Sequence, residues 1–268
     1  SKLIPIVSSL SKLSKILIKS LESKSWWFSI AIFTSYSLAM GSNFFRNLID
    51  LAIIVTNTPS HFDVAIECIG NNNHLLIEKP GFLFDYQFDK IKELANKNNL
   101  YVGISMLERY NSFLKKIDLG GIKLVEIKRI TPYSKNFNGN NILLDLFIHD
   151  LDILVYFSNL NLNSIIVKNI SKENDIIYLD IEYKNTLIKI TVGNSNNISE
   201  RYHKYYKGAD IIYYNFINKE NKIKCIHDDY INFLTNKNNM ICTLDENKNL
   251  VNFISKIMIK LGLYQSKM

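Results

Sequence analysis

The first 120 residues alternate short apolar runs with amphipathic stretches, and few folds accept that rhythm. Each apolar run asks for cover on both sides, and each amphipathic stretch for one covered face. The runs LIPIV (3–7), FSIAIF (28–33), LAIIVT (51–56), HLLIE (74–78) and LYVGIS (100–105) read as strands, with helical patterns at 9–22, 60–70 and 84–98 between them. This is the pattern of βα units on a parallel sheet. Ser60 suits the N-cap of the second helix and Gly70 its C-terminal stop. After residue 120 the texture changes to IKLVEIKRI, SIIVKNI, DIIYLDIEYKNTLIKITVG and DIIYYNFI, alternating β-branched and aromatic residues that predict an antiparallel sheet. YKNTL (183–187) reads as a hairpin, and helices are expected near 144–158, 228–237 and 246–261. The expectation is an α/β domain over 1–120 and an α+β domain with an open, mostly antiparallel sheet over 121–268.

Composition removes several function classes. The 268 residues are 47% hydrophobic, enough for a sizeable core, and the net charge of +7 comes from lysines spread along the chain without a basic block. Nucleic-acid binding is therefore not expected. Cys68, Cys225 and Cys242 are too few and scattered for a disulfide framework, which suggests a reducing compartment. CIHDD (225–229) has no second cluster at zinc spacing, so no metal is expected. The longest apolar stretches fall short of the ~18 residues that span a bilayer, and no signal peptide is visible. A cytoplasmic protein without membrane contact is the expectation.

Three motifs carry chemistry. HLLIEKPG ends a strand on Glu78, Lys79 and Pro80. Ligands of parallel sheets bind outside the carboxyl ends of the strands, so Lys79 stands where a ligand would be, and Pro80 forces a turn there. A solvated lysine at an ordinary strand end satisfies the same pattern. DLFIHDLD spaces Asp145, His149 and Asp152 by four and three residues, which on a helix puts all three on one face. A carboxylate one turn before an imidazole orients it for acid–base work; a satisfied helical histidine has the same spacing. In TNTPSHFDVA a strand passes into a helix through Thr56, Thr58, Pro59, Ser60 and His61, and the N–H groups of that helix start suit an anion or a ribose as well as a plain capped turn.

Taken in order, LAIIVTNTPSHFDVAIECIGNNNHLLIEKP, VGISMLERYNS and LLDLFIHDLDIL resemble the Gfo/Idh/MocA oxidoreductases, relatives of glucose-fructose oxidoreductase and inositol dehydrogenase. The resemblance covers residues 50–155 closely and the remainder in layout. It implies a Rossmann-like dinucleotide-binding domain over 1–120, then a substrate and oligomerisation domain over 121–268. It also implies hydride transfer between NAD or NADP and a hydroxyl or carbonyl of a sugar, nucleotide sugar or cyclitol. Lys79 would polarise the reacting oxygen and His149, with Asp145, would accept its proton. Arg109, Tyr110 and Asp152 would meet the substrate. The cofactor would lie along Ser8, Ser9, Leu10, Thr34, Thr56, Thr58, Pro59, His61 and Glu78.

The chain departs from that family at the cofactor end. A G-x-G-x-x-G loop should follow the first strand, because only glycine lets the backbone approach a pyrophosphate so closely. SSLSKL (8–13) stands there instead, and no glycine precedes Gly41. The second strand ends on Thr34, Ser35 and Ser37 where an acid would hold the ribose. The alternative is therefore a family member that has lost dinucleotide binding and acts as a non-catalytic ligand-binding or partner protein. The sheet of 123–216 is rich in Ile and Tyr, and a broad apolar face is usually covered; the resemblance implies that a second subunit covers it, in a homodimer or homotetramer.

Overall fold

The computed structural model describes residues 30–33, 51–111, 113–133, 142–196, 198–216 and 241–263. The strand expected at 3–7, the helices at 9–22 and 228–237, and CIHDD lie outside them. The chain divides into two compact units, residues 1–106 with 226–248 and residues 107–225 with 249–268.

In the first unit β1 (Ile30–Phe33), β2 (Leu51–Ile54), β3 (His74–Glu78) and β4 (Val102–Ser105) form a parallel sheet in that order. β2 is buried at every position, and Leu75, Leu76 and Ile77 of β3 are fully buried, so these runs carry no polar alternation. The helix α1 (His61–Gly70) follows β2 and turns Val64, Ala65, Cys68 and Ile69 inward, while α2 (Asp85–Lys97) follows β3 and buries Phe88, Ile91 and Ala95. A dinucleotide sheet runs 3-2-1-4-5-6, so the first strand neighbours the fourth. Here β1, read from sequence as the second strand, stands beside β2, which leads into TNTPSH.

One local expectation is corrected and a second holds. Ser60 precedes α1 but caps no helical N–H; its Oγ turns back to Thr56 Oγ1 (2.9 Å) and Asn57 O (2.8 Å), because a 3-10 turn over Thr58–Ser60 has already started the helix. Gly70 ends α1, yet the left-handed residue of the exit is Asn72 (φ 59°), two positions later.

The second unit has a six-stranded sheet in the order β10-β9-β5-β8-β7-β6. The strands are β5 (Leu124–Thr131), β6 (Ile165–Glu173), β7 (Ile176–Tyr183), β8 (Thr186–Asn194), β9 (Glu200–Lys207) and β10 (Asp210–Asn215). Only β5 and β8 pair in parallel among them. The YKNTL hairpin closes on Tyr183 opposite Thr186, with Lys184 at φ 54°. One sheet face carries Val125, Ile127, Leu179, Ile181, Ile188, Ile190 and Tyr205, all buried, and α3 (Ile148–Ser158) is tied to that face. The last described helix, α4 (Leu244–Lys260), starts with a capping box: Thr243 Oγ1 accepts from Glu246 N (3.2 Å) and Glu246 Oε2 from Thr243 N (2.7 Å).

Gly193 faces Ile176 across the β7–β8 ladder, and a Cβ there would lie 2.7 Å from Ile176 Cα and closer still to Asp175 O. Both obstacles are backbone and cannot rotate away. Gly193→Ala is expected to destabilise the chain by about 1–3 kcal/mol in urea unfolding, from overpacking alone.

Candidate functional site

Two groups of the expected residues fall in different units, and each is built by its own local structure. In the first unit β3 ends at Glu78, paired with Ser105, and Lys79 follows on a cis Lys79–Pro80 peptide. Lys79 is half-buried. Behind the turn sits His61, 1% exposed, with Nδ1 3.1 Å from both Pro80 O and Gly81 O and Nε2 3.0 Å from Thr56 O. From α4, Asn247 Oδ1 accepts a hydrogen bond from Gly81 N (3.0 Å). His61, expected along the cofactor, is thus occupied inside the protein: as the first residue of α1 it points inward onto the carbonyls of two loops. Thr56, Thr58 and Glu78 are half-buried and Pro59 is exposed. Ser8, Ser9, Leu10 and Thr34 lie outside the described residues.

Burial pulls the His61 pKa below its ordinary value, and the Thr56, Gly81 and Pro80 carbonyls oppose the shift without cancelling it. A neutral ring donates from one nitrogen only, so the folded state holds off the second proton while the unfolded chain takes it up. Stability from this group is therefore present above the unfolded histidine value of about 6.5 and is lost as pH falls through the lower folded value. Urea midpoints between pH 7.5 and 5.5 are expected to drop less in His61→Asn than in the wild type.

In the second unit the chain enters α3 through a π-helical turn, Leu143–Phe147. The wider turn breaks the even spacing read from DLFIHDLD. Asp145 is exposed, His149 half-buried and Asp152 fully buried, so the three do not present one face. Asp152 binds Arg109 inside the unit: Arg109 Nε lies 3.1 and 3.0 Å from Oδ1 and Oδ2, and Nη2 2.6 Å from Oδ1. Arg109 and Asp152 are 2% and 0% exposed, and the guanidinium stacks over Tyr156 at 4.6 Å. These two, expected to meet the substrate, meet each other. Tyr110 beside them is also buried.

A second buried network lies one position away. Arg129 of β5 donates from Nε (2.5 Å) and Nη2 (2.7 Å) to Asp150, which also receives His203 Nε2 (2.9 Å), while His203 Nδ1 is 3.2 Å from Tyr205 OH. Burial alone would raise the Asp150 carboxyl, but the Arg129 guanidinium and the His203 hydrogen bond hold it well below the usual carboxylate range. Beside it, Arg201 bonds Glu108. Sequence reasoning missed this network, although Arg129 falls in phase with the inward Val125 and Ile127 and was a readable signal. Asn247 has no such local signal. Asp150→Asn is expected to cost about 3–5 kcal/mol in urea unfolding, because Arg129 stays buried without its counter-charge; adding Arg129→Met should recover part of that loss.

The first unit thus carries Lys79 directly after a buried parallel strand. Residues 7–105 match the model of the Gfo/Idh/MocA oxidoreductase family, described as an NAD-binding Rossmann fold. Over that segment the chain is similar to that family. It is 31% identical over 108 residues to a UDP-N-acetylglucosamine 3-dehydrogenase of Acidithiobacillus ferrooxidans, 39% of this chain and 34% of that protein. The match thus spans about a third of the relative's length. The solved structure of the A. ferrooxidans UDP-N-acetylglucosamine 3-dehydrogenase superposes with TM-score 0.65 at 16% identity, over 80% of this chain and 79% of that one. A myo-inositol 2-dehydrogenase from Lactobacillus plantarum does so with TM-score 0.65 at 15% identity, over 86% and 82%. These superpositions establish a shared fold across both units.

Proposed function

We propose that this protein is an NAD(P)-dependent oxidoreductase acting on a hydroxyl or carbonyl carbon of a sugar, with a nucleotide sugar as the first class to test. The carrying observation is Lys79, directly after the carboxyl end of a buried parallel strand within the family-matched segment. The 31% identical relative named for a nucleotide sugar supports the substrate class.

In this reading the substrate hydroxyl donates a hydrogen bond to His149, which takes the proton as the carbon–hydrogen bond breaks. Lys79 is assigned the role of stabilising charge that develops on the reacting oxygen, and Asp145 sets the field at the start of the helix. A bound nicotinamide supplies the acceptor for the hydride. Thr56, Thr58, Pro59 and Glu78 would line the cofactor together with Ser8, Ser9, Leu10 and Thr34. Arg109, Tyr110 and Asp152 are assigned a supporting place rather than substrate contact. Lys79→Ala and His149→Ala are each expected to lower kcat/KM by about 10²–10⁴-fold in a nucleotide-sugar oxidation assay, with unchanged circular dichroism.

A second reading rests on the glycine-free stretch before Gly41. There the chain has lost its dinucleotide and serves as a non-catalytic partner or ligand-binding protein. Titration with NAD, NADH, NADP and NADPH, followed by tryptophan quenching and calorimetry, separates the two. Micromolar binding supports the enzyme; no binding up to millimolar concentration overturns it. No helix among the described residues is long and apolar enough to cross a membrane.

The outer sheet face, where Ile166, Ile211 and Tyr213 are more than half exposed, supports a homodimer or homotetramer. Light scattering at micromolar concentration is expected to show a mass of at least two chains; a monomer would refute this.

A further inference from the structure

His61 and Asn247 grip one turn from two sides. His61 reaches the carbonyls of Pro80 and Gly81 through Nδ1 and that of Thr56 through Nε2. Asn247, 0% exposed, accepts from Gly81 N and turns its amide toward Met106 Sδ at 3.8 Å. Neither contact is replaceable by water, because both side chains are sealed from solvent. The turn also has no slack on its inner side: a Cβ at Gly81 would come 2.5 Å from Ile104 Cδ1 and 3.3 Å from Asn247 Oδ1. Both polar atoms of the Gly81 peptide unit, its N–H and its carbonyl, are thus bound by side chains from distant parts of the chain. The residue two positions earlier is Lys79.

We infer that His61 and Asn247 are the positioning residues for Lys79: together they fix the Pro80–Gly81 backbone and so set where the Lys79 amine stands. This rests on the reading of Lys79 as the group that touches the reacting oxygen, but the grip itself does not. The ring's other nitrogen stands 3.0 Å from the Thr56 carbonyl, just after β2, so the same side chain packs between the loop expected along the cofactor and the turn carrying Lys79. A long, flexible lysine loses precision when its Cα drifts, and a group misplaced by about 1 Å can lose roughly 10²-fold in rate. Tying the backbone next to it removes that drift without touching the amine.

The test is competitive amine labelling of the purified full chain with an acylating reagent, read by mass spectrometry across pH 7 to 10. Lys97, exposed at the end of α2, is the internal standard. His61→Phe removes the ring N–H, and Asn247→Ala removes the acceptor for Gly81. His61→Asn keeps an N–H near the Nδ1 position, within reach of the turn. His61→Phe and Asn247→Ala are expected to change the Lys79-to-Lys97 labelling ratio by about threefold or more, while His61→Asn stays within about twofold of the wild type. A ratio unchanged in folded His61→Phe and Asn247→Ala overturns the inference. So does a His61→Asn ratio that matches His61→Phe, since packing would then be the cause. If His61→Phe fails to fold, His61→Asn against Asn247→Ala decides in the same way. Labelling needs neither cofactor nor turnover. Absent dinucleotide binding with a shifted ratio refutes the oxidoreductase reading alone, and turnover with an unchanged ratio refutes the positioning alone.

Discussion

The buried carboxylates of α3 constrain the second unit more tightly than any apolar contact in it. Asp150 and Asp152 are almost wholly removed from water, and each has a guanidinium waiting on a different element: Arg129 on β5 and Arg109 just after β4. An α-helix advances about 100° per residue, so the two carboxylates leave the axis in well-separated directions. His149 projects between them. Rotating the helix in either sense would pull one carboxylate off its arginine and leave a buried charge uncompensated, which costs several kcal/mol. Apolar packing tolerates a few degrees of rolling, but a bidentate ion pair does not. The orientation of His149 thus follows from the residues on either side of it.

The first unit solves the same problem with neutral groups. A parallel sheet buried on both faces leaves its strand ends as the places where polar side chains can gather, and there the chain must turn without wasting backbone hydrogen bonds. At Pro80–Gly81 the strand ladder has stopped and proline offers no N–H, so the carbonyls and the one remaining N–H need side-chain partners. His61 and Asn247 supply them. Glycine at 81 is the residue that lets Ile104 and Asn247 come this close.

What the sequence makes readable is periodicity, and what it hides is partnership. HLLIE was read as a strand over 74–78, and the ladder runs over those same residues; α1 is shorter than its expected span by one residue at its start and α2 by one residue at each end. The alternation after residue 120 named the sheet, though not the parallel β5–β8 pair at its centre, because two inward-facing strands look the same whichever way they run. The place of Lys79 just past a strand end was legible from the sequence, whereas the surroundings of His61 were not. Its place at a helix start beside a strand end suits a ligand and a buried clamp equally, and only the distant Pro80 and Gly81 carbonyls decide between them. The even spacing of Asp145, His149 and Asp152 assumed 3.6 residues per turn throughout, and the π turn over Leu143–Phe147 breaks that assumption. Arg109 and Asp152 illustrate the same limit: a charge pattern shows that a partner is needed without showing that the two charges are each other's partner.

This sorting bears on whether the chain still works as an enzyme. Arg109, Asp152, Arg129, Asp150 and His61 are each explained by the fold, since replacing any of them would leave a buried group unsatisfied. Their presence would be the same in a protein that had abandoned catalysis, so they weigh nothing for activity. Lys79, Asp145 and His149 are different: one is exposed, two are half-buried, and the burial that makes the others indispensable does not apply to them. The case for activity therefore rests on residues that burial does not itself demand. Against it stands the glycine-free stretch before Gly41, which bears on phosphate binding and leaves the substrate chemistry untouched. The two signals concern different ligands, and dinucleotide affinity is the quantity on which they disagree.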